Sequence, residues 1–283
     1  MINCESLIVD SPGLNFIKSA YIRYYMVVKI NETFGIAIVI PLHNEYQIVN
    51  KLSENIKSFL VENLNQNFIM VCDHCNDGTY EYLMNQFYES DRVKIIDNNF
   101  EPGYGSAVRS GLNLALSHNN SWAIVIDSDL SNPLVEALAL AEFIYKNNNS
   151  EFNNCSIIKG NRFNHFGSSF KSAPLLRVFL SVTANRISRI LSFGVSKDPT
   201  NGFRAIRLSW FSQQKFGEDK FPSIVEELYL AIKSGNNILD FPTKLDYRNA
   251  LRIKTSFSFN FETISGYLKY LFKIFLLRIV SIL

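Results

Sequence analysis

Ala123-Ile124-Val125-Ile126-Asp127-Ser128-Asp129-Leu130-Ser131-Asn132-Pro133 is the stretch from which the fold is read. Its first four residues are apolar and three are β-branched, which predicts a strand buried on both faces. Two carboxylates follow at once. Asn132 and Pro133 then supply an N-cap and a first-turn proline for a helix expected to run to about Lys146. A buried strand, a polar turn and a helix, in that order, make the repeating unit of an α/β fold.

The same unit recurs outward in both directions. Ile36–Ile40 reads as a strand that Pro41 ends, with a helix from about Tyr46 to Leu60 after it. Phe68–Cys72 and Val93–Ile96 are the next strands. Gly105–Ser117 reads as a helix, with Val108, Leu112 and Ala115 at helical spacing. Beyond an asparagine-rich loop, Ser156–Ile158 is a fifth strand. This alternation predicts a mainly parallel central sheet flanked by helices. Ligands in such sheets lie beyond the carboxyl ends of the strands. The polar clusters His43-Asn44-Glu45, Asp73, Asp127-Ser128-Asp129 and Asn161-Arg162 all stand there. The second half begins with a helix from Pro174 to Leu191, on which Arg177, Ser181 and Asn185 share one face. A strand near residues 202–206, a helix from Ile224 to Lys233 and an extended stretch from Asn237 to Arg248 follow. A last helix is expected from Phe261 to Leu283. Residues 1–34 form a leader whose aromatic run fits a strand or a short helix, and no internal repeat is present.

Composition bounds the class. With 283 residues, 47% hydrophobic and 19% charged, the chain suits one sizeable domain with appendages and not a disordered protein. Net charge is +2, but seven basic and two acidic residues lie from Lys244 onward, a tail of +5 on a remainder of −3. Such a tail suits an anionic partner such as lipid headgroups or phosphates; no nucleic-acid partner is expected. Four cysteines are too few for a disulfide framework, and no stretch at the start reads as a signal peptide. An intracellular protein with reduced thiols is the expectation.

Asp127 and Asp129 carry the sharpest chemistry. Two carboxylates this close repel unless a cation lies between them. Hard oxygen donors select Mg²⁺ or Mn²⁺, which completes its shell with substrate phosphates. If the strand continued, both side chains would point the same way, with Ser128 opposite. Gly103-Tyr104-Gly105 opens a helix and suits either close approach to an anion or a plain tight turn. Cys72-Asp73-His74-Cys75 is a Cys-x-x-Cys without a second ligand pair; burial, a redox role and metal binding all remain open.

Taken together, Ile40-Pro41-Leu42-His43-Asn44-Glu45, Asp73 through Asp77-Gly78-Thr79, Gly103-Tyr104-Gly105-Ser106-Ala107 and Asp127 to Pro133 resemble the family 2 glycosyltransferases. Lys159-Gly160-Asn161-Arg162-Phe163, the Arg177/Ser181/Asn185 helix and Asp198 to Arg204 resemble the branch of dolichyl-phosphate mannose synthases and bacterial polyprenyl-phosphate hexose synthases. The likeness covers about residues 35–255, between the leader 1–34 and a C-terminal amphipathic helix at 256–283. It implies a GT-A fold, a UDP- or GDP-sugar donor and a divalent metal. Carried over by position, Pro41, Asn44, Glu45, Asp73 and Gly105 would line the donor site. Asp127 would contact the donor or its metal-bound phosphates and, with Asp129, hold the metal; Arg248 and Lys254 would meet the donor diphosphate. Arg162, Arg177, Ser181 and Arg204 would hold an acceptor phosphate. Cys72 and His74 depart from the pattern, where the family often has adjacent acids or a small residue.

The resemblance implies inverting transfer of a hexose to a polyprenyl phosphate at the inner face of a membrane. A phosphate acceptor needs no general base; a hydroxyl acceptor on a glycan would, and Asp198, Glu226 or Glu227 would then be the candidates. A catalytically silent membrane partner with the same fold is the third reading. On the last helix, Leu268, Leu271, Phe272, Phe275, Ile279 and Leu283 share one side flanked by Lys269 and Arg278. That side suits either a bilayer surface or packing on the domain.

Overall fold

The structure, a computed structural model, describes residues 35–62, 66–147, 152, 154–165, 175–244 and 261–282. The leader 1–34, Arg248 and Lys254 lie outside the described residues. Seven strands form one sheet: β1 (Gly35–Leu42), β2 (Asn67–Cys72), β3 (Val93–Asp97), β4 (Asn120–Val125), β5 (Cys155–Asn161), β6 (Arg204–Arg207) and β7 (Asn237–Pro242). Their order is β3-β2-β1-β4-β6-β5-β7. β1, β2, β3 and β4 run parallel, as do β5 and β7, while β6 is antiparallel to both its neighbours. The expected α/β fold with a mainly parallel sheet is present, and it fits the GT-A arrangement. The helices are α1 (Tyr46–Glu62), α2 (Thr79–Phe87), α3 (Tyr104–Ser117), α4 (Leu134–Lys146), α5 (Leu175–Leu191), the short α6 (Leu208–Phe211), α7 (Ser223–Lys233) and α8 (Phe261–Ile282).

β1 and β4 are buried along nearly their whole length, which is why both read as unbroken apolar runs. α3 lies directly on β1 and β2. Gly111 makes this approach possible, since a Cβ there would stand 2.4 Å from Val39 Cγ1. Ala107, Val108 and Leu112 of α3 meet Val39, Val71 and Ala123 of the sheet in one interior. Burying a Val or Leu side chain fully contributes roughly 1.5–3 kcal/mol, so this layer is a main source of stability.

Three local expectations change. β1 does not stop at Pro41 but runs through it to Leu42, with Pro41 opposite Val71. The Val39 carbonyl accepts the Ile126 N–H on the β4 side. Residues two apart along a strand face the same way, so the missing N–H of Pro41 faces that side too, past the last paired residue of β4. β4 ends at Val125, and residues 127–130 form a turn in which Leu130 N–H donates to the Asp127 carbonyl at 3.1 Å. Strand alternation therefore does not orient Asp127 and Asp129. Asn132 does not cap α4, whose N-cap is Pro133; its amide donates to Thr243 Oγ1 at 3.1 Å. A feature the pattern did not mark is α2.

α8 packs on α7 and α5. Tyr270, Leu271 and Ile274 join the core, while Leu268, Phe272, Leu276 and Val280 are exposed. The apolar side expected as one face is thus divided, with Leu271 turned inward.

Candidate active site

The loops after β1, β2 and β4 meet at one edge of the sheet because those strands are adjacent and parallel. Glu45 stands at the centre. Its backbone N–H donates to Thr79 Oγ1 at 2.9 Å, and its buried carboxylate accepts the Ser128 hydroxyl at 2.9 Å. Ser128, itself buried, thereby pins the turn that carries Asp127 and Asp129. Asp129 Oδ1 accepts the Ser131 N–H at 2.9 Å, which closes the turn from its far side.

Asp73 begins the loop after β2. One carboxylate oxygen accepts the Asn98 amide at 2.8 Å, and the other accepts the Gly103 N–H at 2.9 Å. Asn98 in turn bonds Ser106 and Ser110 of α3. Asn44, with φ +53°, accepts the Asn76 N–H, and Asp77 accepts the Tyr46 and Thr79 N–H groups. Desolvation pushes the Asp77 carboxyl upward, but the Thr79 hydroxyl and then these N–H groups hold it below its ordinary range. The first two loops are therefore knitted together, with Asn44, Glu45 and Asp73 at their roots.

Asp127 faces the segment before β6. A Cβ on Gly202 would lie 3.1 and 3.2 Å from its two carboxylate oxygens and 3.3 Å from the Tyr104 hydroxyl. Tyr104 stacks on Phe221, with ring centroids 4.7 Å apart, and accepts a hydrogen bond from Arg204 at 3.1 Å. Burial holds the Tyr104 phenol well above the tyrosine range, against the pull of the Arg204 guanidinium. It is a neutral hydroxyl beside Asp127.

Beyond Tyr104 lies a buried charge network. Arg204 grips Glu227 through two bonds of 2.5 and 2.6 Å. Arg162 grips Asp198 through two of 2.6 and 2.8 Å. Lys159, fully buried in β5, donates to the Asn201 carbonyl. Burial, reinforced by the Arg204 charge, pushes the Lys159 ammonium down to about 7.

These contacts revise several sequence expectations. Arg204 is fully buried and committed to Glu227, Tyr104 and the Gly202 carbonyl, so it is not presented to an acceptor. Asp198 is likewise fully buried and engaged by Arg162, which leaves it ill placed as a catalytic base. Glu226 and Glu227, the other candidate bases, are buried as well. Glu226 accepts the Gly217 and Glu218 N–H groups and the Tyr270 hydroxyl. Gly105 does not open the start of α3 to an anion. Its N–H and that of Ser106 go to the Asp219 carbonyl, and its missing Cβ makes room for Glu218 and Ser223. Ser181 is half-exposed on α5, where Asn185 donates to the Lys197 carbonyl; the Arg177 side chain lies outside the described atoms.

The carboxylate pair suits a hard divalent ion only in part of its shell. Among the described residues no three His, Cys, Asp or Glu side chains gather to hold a metal. Two half-buried carboxylates on one turn, with the remaining ligands left to phosphate and water, match the usual manner of holding Mg²⁺. Sequence reasoning missed Ser128, Thr79, Asn98, Tyr104 and Lys159 as contributors. Tyr104 stood inside a quoted motif, but its role depends on a partner a hundred residues away.

The family model described as glycosyl transferase family 2 matches residues 37–214. No curated protein matches the chain. Among solved structures, glucosyl-3-phosphoglycerate synthase from Mycobacterium tuberculosis in complex with Mn²⁺, UDP and glucosyl-3-phosphoglycerate is similar, with a TM-score of 0.55 and 16% identity over 85% of this chain and 80% of that one. Its complex with Mg²⁺ and UDP gives 0.57 and 15% over 90% and 82%. Its complex with Mn²⁺ and UDP-glucose gives 0.56 and 15% over 87% and 79%. At these identities the likeness is one of fold.

Proposed function

The chain belongs to glycosyl transferase family 2, and from that premise we propose that it moves a hexose, with inversion, from a UDP-sugar to a phosphate-bearing acceptor in a reaction that depends on Mg²⁺ or Mn²⁺. The observation that carries the reading is the Asp127-Ser128-Asp129 turn, locked to Glu45 at the carboxyl edge of the sheet. Solved structures of the same fold contain UDP with Mn²⁺ or Mg²⁺, which supports UDP over GDP and supports the metal.

Asp127 and Asp129 would hold the ion, which when bound neutralises charge on the departing diphosphate. Asn44, Glu45 and Asp73 supply the polar floor for the nucleoside, and Arg248 and Lys254 are assigned to the diphosphate. The missing side chain of Gly202 lets the segment before β6 approach the Asp127 carboxylate closely. An anionic acceptor needs no proton removed. The three candidate bases, Asp198, Glu226 and Glu227, all have their carboxylates occupied by protein donors, which favours phosphate over hydroxyl as the attacking group.

A polyprenyl phosphate is the lead acceptor, on the branch of dolichyl-phosphate mannose synthases and related polyprenyl enzymes. The exposed Leu268, Phe272, Leu276 and Val280 of α8, beside Lys269 and Lys273, support contact with the inner face of a membrane. Among the described residues no helix is long and apolar enough to cross one. A phosphorylated small acid is the second reading, favoured by the acceptor named for the similar synthase. Purified chain, labelled UDP-hexoses, Mn²⁺ and either polyprenyl phosphate or 3-phosphoglycerate test both. Metal-dependent label transfer to one acceptor assigns it; transfer to neither removes the proposal.

A further inference from the structure

Cys72 and Cys75 take no part in the chemistry above. β2 ends at Cys72, and the chain reverses at His74, whose φ is +51°. The reversal brings Cys75 back against the strand pair it has just left. Its sulfur accepts the Asn44 N–H at 3.4 Å and lies 3.7 Å from the Leu42 carbonyl. Leu42 is the residue directly opposite Cys72 in the β1–β2 register. Cys75 Sγ thus stands against the Leu42–Cys72 pair at the end of the two strands. Cys72 is buried, whereas Cys75 is partly open to solvent.

We propose that Cys72 and Cys75 form a reversible dithiol–disulfide modification site at the root of the donor pocket, with small-molecule disulfides as its oxidants. The two thiols are unequal in the way such a site requires. The neighbouring Cys72 thiol, helped by the Asn44 N–H, lowers Cys75 from the ordinary thiol range. The same contact, followed by burial, raises Cys72. Cys75 is thus the attacking thiolate and Cys72 the resolving thiol. Cys75 attacks one sulfur of a disulfide RSSR, forms a mixed disulfide and expels RS⁻. Cys72 then gives up its proton and attacks Cys75 Sγ, expelling the second RS⁻. Two protein thiols are oxidised and one RSSR is reduced to two thiols. Cys155 is a built-in control, since burial pushes its thiol up to about 11 and neither of the other described thiols contacts it.

The new bond would take Cys75 Sγ from the Asn44 N–H and tighten the turn that contains Asp73. Asp73 holds the Gly103 N–H and the Asn98 amide. Oxidation would therefore loosen the nucleotide site, a consequence that rests on the donor reading given above.

The full chain, equilibrated in dithiothreitol or oxidised glutathione and then alkylated, tests the pair by peptide mass. The expected result is a peptide lighter by two hydrogens across Cys72 and Cys75, restored by dithiothreitol, with Cys155 alkylated throughout. Cys72→Ser should stop the reaction at a glutathione adduct on Cys75, and Cys75→Ser should prevent both steps. Two free thiols after oxidation, or an adduct on Cys75 that persists in the unsubstituted chain, overturns the proposal. Calorimetry with UDP and Mn²⁺ reads the consequence, with binding expected to weaken at least tenfold on oxidation. Unchanged affinity in the disulfide form overturns the effect on the pocket. Absence of binding by the reduced chain sinks the donor reading instead, while the peptide masses still decide the thiol pair.

Discussion

Ser128 donates its hydroxyl to Glu45 at 2.9 Å across 83 positions of sequence, and both side chains are buried. This bond joins the turn that carries the two acidic residues to the loop after the first strand. Hydrogen bonds to charged groups contribute about 1.5–3 kcal/mol. Ser128→Ala should lower stability by roughly that amount, read from urea denaturation, and weaken UDP binding in Mn²⁺ by calorimetry. An unchanged midpoint would mean that the bond does not support the turn.

Asp127→Asn and Asp129→Asn keep the shape of each side chain and remove its charge. Each should abolish metal-dependent UDP binding or weaken it at least tenfold while leaving the circular dichroism spectrum intact. Retention of Mn²⁺-dependent binding by both variants would place the ion elsewhere.

Asp198 and Arg162 form a pair with side-chain exposures of 0% and 15%. Removing one partner from a buried pair costs about 3–5 kcal/mol, because the other charge is left unpaired. Asp198→Asn or Arg162→Met alone should destabilise by that order, and the double variant by less than the sum of the two. An Asp198→Asn protein as stable as the parent but inactive would instead identify Asp198 as a base.

Lys159 gives the stability a pH signature. Its ammonium is depressed to about 7 by burial first and by Arg204 second, with Glu227 and Asp198 opposing and Arg162 adding to the effect. Between pH 7 and the ordinary lysine range the unfolded chain binds the proton and the folded chain does not. Stability therefore rises with pH across that window and is lowest below it. Lys159→Met should flatten the rise, as measured by denaturation at a series of pH values.

Gly105→Ala would place a Cβ 2.5 Å from the Glu218 carbonyl oxygen and 2.6 Å from Ser223 Cβ. Overpacking of this kind costs about 1–3 kcal/mol. A fall in thermal midpoint with no loss of nucleotide affinity per folded molecule would confirm that Gly105 serves packing and not the donor.

The sheet was legible because β1, β2 and β4 are buried on both faces and therefore unbroken in hydrophobicity. Helix α3 was legible because Val108, Leu112 and Ala115 recur at its period. The reversal of β6 was not, since a strand as short as Arg204-Ala205-Ile206-Arg207 carries no mark of direction. The acids of the site could be found because carboxylates after buried strands are unusual. Their fates could not be separated by sequence: Asp127 faces Gly202, whereas Asp198 and Glu227 meet Arg162 and Arg204 from distant elements. Pairing of that sort is a property of tertiary packing and leaves no local spacing to read.

The Asp219 carbonyl that closes the first turn of α3, together with Arg109 reaching Glu218 and Asp219, has a bearing on biosynthesis. A ribosome that has released only the first 150 residues has made every strand of the parallel half but not the segment that seals the start of α3. That half must wait, incompletely assembled, for about seventy more residues to emerge. Cutting the gene there should yield a sticky fragment, whereas co-expressing the two pieces should restore a soluble whole.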